Sequence, residues 1–271
     1  MDSDQIKEMV RTRYGSIAAA PGAADCCGPA SSCCGDSAPG TPADKSRQIG
    51  YSEAELASVP DGANLGLGCG NPQAIAALRP GEVVIDLGSG AGFDCFLAAQ
   101  QVGATGRVIG VDMTHEMLKK ARENAARIGA ANVEFRLGEL EHLPVADDTA
   151  DAILSNCVIN LVPDKEQVFR EAFRVLKLGG RLAISDVVNT TPLTAELQTD
   201  TALLCGCVAG AEPVERIEMW LTQAGFVDVR ITPKPESREL IETWAPGRGI
   251  ENFVVSATLE GRKPTKARSK D

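Results

Sequence analysis

The stretch that most limits what this chain can become is Val83-Val-Ile-Asp-Leu-Gly-Ser-Gly-Ala-Gly-Phe-Asp94. Val83 to Leu87 is a short apolar run with β-branched residues, the signature of a buried strand. Gly88, Gly90 and Gly92 follow at alternate positions, where a backbone turns tightly and lets a ligand come close. Phe93 to Gln101 then reads as a helix. Strand, glycine turn and helix build a nucleotide site at the carboxyl end of the first strand of an open α/β sheet. The spacing argues against a dinucleotide: the third glycine of G-x-G-x-x-G would fall on Phe93. A second strand, Arg107-Val-Ile-Gly-Val-Asp112, ends in an acid about 20 residues on, where a ribose hydroxyl pair would be held.

Composition narrows the partners. The chain has 271 residues, enough for one substantial core and a small second lobe. A formal charge of -10 disfavours nucleic acid or an anionic membrane as the main partner. No apolar run reaches the ~20 residues of a membrane span. Met1-Asp-Ser-Asp4 is acidic and precedes no apolar h-region, so a cytoplasmic protein without a secretory signal is expected. Nine cysteines are many for such a compartment, where thiols more often bind metals or catalyse than form disulfides. Two histidines disfavour a zinc hydrolase or a His-based nucleophile.

Along the chain, residues 1–48 read as a short helix, Asp4 to Tyr14, followed by a flexible arm from Gly15 to Arg47 rich in Ala, Gly, Pro and Ser. The arm carries Cys26-Cys27 and Cys33-Cys34, either inert or a clamp for a thiophilic ion. Residues 49–190 alternate strand and helix, which implies a mostly parallel sheet with helices on both faces. Ser52 and Glu55 form a capping box, and Pro60 ends that helix. Thr114 is placed to cap a helix that stops at Gly129. Asn132–Leu137, Ala150–Asn156 and Arg181–Asp186 are the third to fifth strands, and Gly179-Gly180 closes the helix before the last. Residues 191–260 depart from the alternation: a helix from Leu193 to Leu204, a loop with Cys205 and Cys207, a helix from Val214 to Ala224, then closing strands at Val227–Thr232 and Phe253–Leu259. Residues 261–271 read as a basic, solvated tail.

Cys69, Cys157 and Cys207 each sit in a loop. Cys157 follows the fourth strand at the rim where the ligand crevice lies. Cys207 belongs to an insertion able to lid that rim, and the glycine-rich loop of Cys69 covers it from the other side. Any one cysteine is more often core than ligand, but three in such loops favour a soft, thiophilic centre.

The segment from Asp86, D-x-G-x-G-x-G, resembles motif I of class I S-adenosylmethionine (SAM) methyltransferases, a Rossmann-like fold. Together with Asn64-Leu-Gly-Leu-Gly-Cys-Gly-Asn-Pro72, Gly110-Val-Asp-Met113, Ser155-Asn-Cys-Val-Ile-Asn-Leu161 and Cys207-Val-Ala-Gly-Ala211, the chain resembles the bacterial arsenite methyltransferases over roughly residues 49 to 259. The resemblance implies SAM-dependent methylation of As(III) and of methylated trivalent arsenicals, with Cys157 and Cys207 as arsenic-binding thiols. Cys69 matches a third reactive thiol, either ligand or electron donor, and Cys205 is close enough to exchange roles with Cys207. SAM is expected on Asp86, Gly88, Gly90, Asp112 and Asn156, with Met113 beside the adenine and Glu139-Leu140 near its edge. Each transfer formally oxidises arsenic, so a thiol reductant, glutathione or thioredoxin, is expected as partner. Two other readings compete: a C- or O-methyltransferase of a quinone-like molecule, and a non-catalytic thiol protein for metalloids or zinc.

Overall fold

The structure is a computed structural model that describes residues 1–19 and 40–266. Cys26, Cys27, Cys33 and Cys34, and the tail from residue 267, lie outside the described residues. Among the described residues, eight strands form one sheet: β1 (Val83–Leu87), β2 (Arg107–Asp112), β3 (Val133–Leu137), β4 (Ala150–Asn156), β5 (Leu176–Asn189), β6 (Glu212–Pro213), β7 (Val227–Lys234) and β8 (Val254–Arg262). Their order is β3-β2-β1-β4-β5-β8-β7, with β6 pairing beside β5. The strands β1 to β5 are mutually parallel, and β8 runs antiparallel to both β5 and β7. Strand order reverses between β1 and β4, so the crevice of an open α/β sheet lies at their carboxyl ends.

The pleat sends alternate residues to opposite faces. Ile85, Leu87, Ile153, Leu182 and Ile184 pack against the helices Lys165–Val175 and Val214–Ala224. Val84, Val108, Ala152, Leu154 and Ala183 meet the helices Phe93–Val102 and His115–Ile128. Truncating a core residue such as Ile153 to Ala would cost ~2–5 kcal/mol. Among the described residues no helix is long and apolar enough to cross a membrane.

Several boundaries differ from the sequence reading. The first helix runs from Ser3 to Ala19, so the arm is shorter than Gly15 to Arg47 at its start. It is shorter at its end too: Thr41 and Asp44 form a capping box ahead of the helix Pro42–Gln48. The helix expected over Leu193 to Leu204 breaks in two at Asp200, whose carboxylate accepts the N–H groups of Ala202 and Leu203. Thr114 occupies the N-cap position without a side-chain capping bond. Gly179-Gly180 lie inside β5, where the register shifts against β4, rather than ending a helix. The tail begins later than expected. Gly261 and Arg262 belong to β8, and the buried Lys263 ammonium caps the Lys165–Val175 helix end by donating to Phe173 and Leu176 carbonyls at 2.9 and 2.7 Å.

Candidate active site

The glycine turn closes against β2. Gly88, Gly90 and Gly92 all have φ in the left-handed region, at 71°, 51° and 94°. Asp112, ending β2, accepts the Gly90 N–H at 2.9 Å and the Thr114 N–H at 2.8 Å. It thereby fixes the turn and presents its carboxylate on the cradle side. Burial raises its pKa above the usual carboxylate range. Asp86 is buried one residue before the end of β1, where it accepts the Cys95 thiol at 3.2 Å. Burial, then the charge of Asp94, pushes its pKa well up. Ser89 Oγ is buried with no partner in the turn itself. A positively curled backbone, a carboxylate at the next strand end and an unpartnered hydroxyl fit an adenosyl cofactor.

The three predicted thiols converge. The Cys157 thiol lies within hydrogen-bonding reach of both Cys207 and Cys69, and Cys207 Sγ donates to the Cys157 carbonyl at 2.8 Å. A carboxylate oxygen of Asp186, within β5 and three residues before its end, lies within 4.8 Å of the Cys69 and Cys157 sulfurs. Cys69 and Cys207 are each 3% exposed, and Cys157 is half-buried. The Cys157 thiol is pushed well up in pKa by its two thiol neighbours and by burial. For Cys207 the Cys157 thiol acts downward, but burial and nearby negative charge raise the balance. All five described cysteines are free thiols.

The loops reach this point for steric reasons. Gly68 approaches Asn156 so closely that a Cβ would sit 2.8 Å from its amide nitrogen. At Gly210 a Cβ would fall 1.9 Å from the Asn160 carbonyl, so the C-x-x-G spacing lets the Cys207 loop seat against Ile159–Leu161. Cys157 and Cys207 are themselves left-handed, with φ of 58° and 64°, a conformation costly for a residue with a Cβ.

Asn156, expected beside the cofactor, is bonded to the Cys69 loop and to Tyr51. Its Oδ1 accepts the Cys69 N–H at 3.1 Å, and its Nδ2 donates to the Gly70 carbonyl at 2.8 Å and to Tyr51 Oη at 3.1 Å. The side chain thus ties the Cys69 loop to β4. The Tyr51 hydroxyl donates to Asp94 at 2.7 Å, in the first turn after the glycines. Tyr51 and Asp186 are site residues that sequence reading missed.

The N-terminal helix is another. Val10 is buried against Leu161 and Cys207, with Met113 and Tyr14 at the edge of the same cluster. The Tyr14 hydroxyl donates to the Cys205 carbonyl at 3.1 Å. Lys7 and Arg11 pair with Glu139 at 2.6 and 2.7 Å, which holds that carboxyl below its usual range, Lys7 contributing most. Leu140 beside it is buried. Cys205 is half-buried and outside the sulfur contacts described for the other three.

The fold and the glycine cradle define a class I SAM-dependent methyltransferase, and a methyltransferase-domain family model matches residues 78–225. An arsenite methyltransferase of Halobacterium salinarum is 54% identical over 98% of this chain and 68% of its own length. This chain belongs to the arsenite methyltransferase family. A second relative, from Aquipseudomonas alcaligenes, is 47% identical over 60% of this chain and 49% of its own. The chain therefore spans between about half and two thirds of these curated relatives. The crystal structure of an arsenic(III) SAM methyltransferase from Chlamydomonas reinhardtii superposes with a TM-score of 0.60 at 28% identity, covering 86% of this chain and 76% of that one.

Proposed function

We propose that this protein methylates trivalent arsenic held by Cys157 and Cys207, with Cys69 as the third thiol, either ligand or electron donor. The observation that carries the reading is the meeting of three thiols, from three distant loops, at the strand ends near the glycine cradle. Asp86, Gly88, Gly90 and Asp112 hold the cofactor, with Met113 beside its adenine and Glu139-Leu140 near the edge. Asn156 serves it indirectly, by fixing the Cys69 loop. When bound, SAM supplies an electrophilic methyl group on a sulfonium.

Soft thiolates select a soft centre. Neutral As(OH)₃ and two thiols give a dithiolate As–OH and two waters, so binding needs no base. The pyramidal arsenic keeps a lone pair that attacks the methyl carbon in line, and the protein's share is positioning. Each transfer oxidises As(III) to As(V). Two enzyme thiols return the electrons by forming a disulfide, which glutathione or thioredoxin resets by exchange. Methylated trivalent arsenicals enter later rounds, and the outcome is arsenic detoxification. Such chemistry needs a reducing compartment, in accord with a cytoplasmic location. The cysteines at 26, 27, 33 and 34 capture arsenite ahead of the site. Deleting the segment that bears them should lower turnover mainly when arsenite is scarce.

The test is incubation of the pure protein with SAM, arsenite and glutathione, with speciation of arsenic. Methylated arsenic is expected, and its absence despite arsenite binding would leave the thiol-scavenger reading in its place.

A further inference from the structure

Asp186 stands with the thiols, and the chemistry above gives it no task. It is 2% exposed within β5, three residues ahead of its end at Asn189. Three donors fix its carboxylate: the Ile159 N–H to Oδ2 at 3.0 Å, and the Asn160 amide and Val187 N–H to Oδ1 at 2.9 and 2.8 Å. It makes no salt bridge among the described residues. Lys165 acts on it only from a distance, its ammonium donating to the Val162 carbonyl at 3.1 Å. Burial raises its own pKa to about 7, and as a carboxylate it opposes ionisation of the Cys207 thiol. That arrangement does nothing for capture of a neutral arsenic hydroxide.

It acquires a purpose when charge moves. In the transfer an As–C bond forms from the arsenic lone pair and the S–C bond of the sulfonium breaks. A dithiolate As(III)–OH becomes a dithiolate methyl As(V)–OH cation, and a neutral thioether leaves. The unit positive charge passes from sulfur to arsenic. We infer that Asp186 is the fixed counter-charge that stabilises arsenic as it becomes cationic, an inference that rests on the thiol-held arsenic of the proposed function. The carboxylate is oriented in advance by groups that do not reorganise, the condition under which such stabilisation is largest. It lies beside the sulfurs that hold the arsenic, where the charge arrives.

The experiment compares wild type with Asp186→Asn in single-turnover methyl transfer, with arsenite affinity and cofactor-analogue affinities measured by calorimetry. The variant is expected to transfer ~100-fold more slowly or worse while binding arsenite as wild type does. Its preference for a cationic amine analogue of SAM over the neutral thioether product should stay as in wild type, because the charge Asp186 serves is on arsenic. An unchanged rate would overturn the inference, and so would loss of arsenite binding in a folded variant or an analogue preference that falls as far as the rate. If the Asn variant does not fold, Asn160→Ala keeps the charge but removes one of its holders. Its rate should drop about tenfold at unaltered arsenite affinity, and a wild-type rate would count against the idea. Wild type that binds arsenite without methylating it would sink the underlying reading instead.

Discussion

Replacing Tyr51 with Phe isolates one link between cofactor cradle and thiol pocket. The ring stays buried edge-on to Phe93, with centroids 4.8 Å apart, so only the hydroxyl is lost. That hydroxyl donates to Asp94 and accepts from Asn156. Neither partner is stranded: Asp94 keeps the Gln73 amide at 3.3 Å, and Asn156 keeps the Gly70 carbonyl at 2.8 Å. The cost is therefore that of a hydrogen bond to a buried carboxyl, ~2 kcal/mol, without the full penalty of an unpaired group. In a chain of this size that lowers Tm by about 4–8 °C. Thermal unfolding under reducing conditions measures it, and hydrogen exchange over residues 64–72 reports the loop. A Tm within about one degree of wild type would refute the magnitude. A fallen Tm with unaltered exchange in the loop would show that Tyr51 supports the core and not Cys69.

Other outcomes follow from the same geometry. Asp112→Ala removes both the cradle carboxylate and the acceptor for the Gly90 N–H, and should weaken SAM by ~1.5–3 kcal/mol in calorimetry. Cys157→Ser or Cys207→Ser should abolish arsenite binding and spare SAM, whereas Cys205→Ser should be mild; a dead Cys205→Ser beside an active Cys207→Ser would move the ligand by two residues. Because neutral thiols bind neutral As(OH)₃ with no net proton change, arsenite affinity should be flat across the neutral pH range. Zinc, which must displace thiol protons, should bind more tightly as pH rises. Lys7→Ala should speed hydrogen exchange in residues 3–19, since each partly exposed ion pair to Glu139 holds the helix by ~0.2–1 kcal/mol. Glu139 is depressed in pKa, so this docking is present above the ordinary carboxylate range and is lost as pH falls through the folded value.

How much of this was legible from residues alone depended on the range of the interaction. β1, β2 and β4 follow from apolar runs, and β4 begins and ends where the pattern placed it, at Ala150 and Asn156. The glycine turn and the acid at Asp112 are local signals too. The convergence of Cys69, Cys157 and Cys207 was readable only through topology, because strand ends gather on one rim. The Thr41–Asp44 capping box was legible in principle, but the surrounding Gly and Pro masked it. The break at Asp200 follows from its side chain bonding the backbone in place of the helix. No short-range pattern could reveal the tie from Asn156 to Cys69, 87 residues apart, or the seat of Val10 against Cys207. Asp186 ends a β-run unremarkably, and only the neighbouring strands show what it faces.

The site also explains how thiol-held arsenic can be methylated with no base taking part, although the largely buried Lys165 ammonium lies within electrostatic reach of Asp186 and Cys207. Cys157 and Cys207 are raised in pKa, which would disable a site that had to offer both as thiolates to a free cation. Arsenite removes that difficulty, since the protons leave with its hydroxyls as water. What the protein must provide is geometry, and it does so at a local cost. Cys157 and Cys207 are both held left-handed, at roughly 1–3 kcal/mol each. That cost is offset by packing: Cys157 borders the cluster of Val187, Leu203 and Val254, and Cys207 that of Val10 and Leu161. Burying one such Leu or Val contributes ~1.5–3 kcal/mol, so a few of them outweigh the strain. The N-terminal helix thus belongs to the thiol pocket as much as the sheet does, because part of what holds Cys207 in its strained conformation is supplied by Val10.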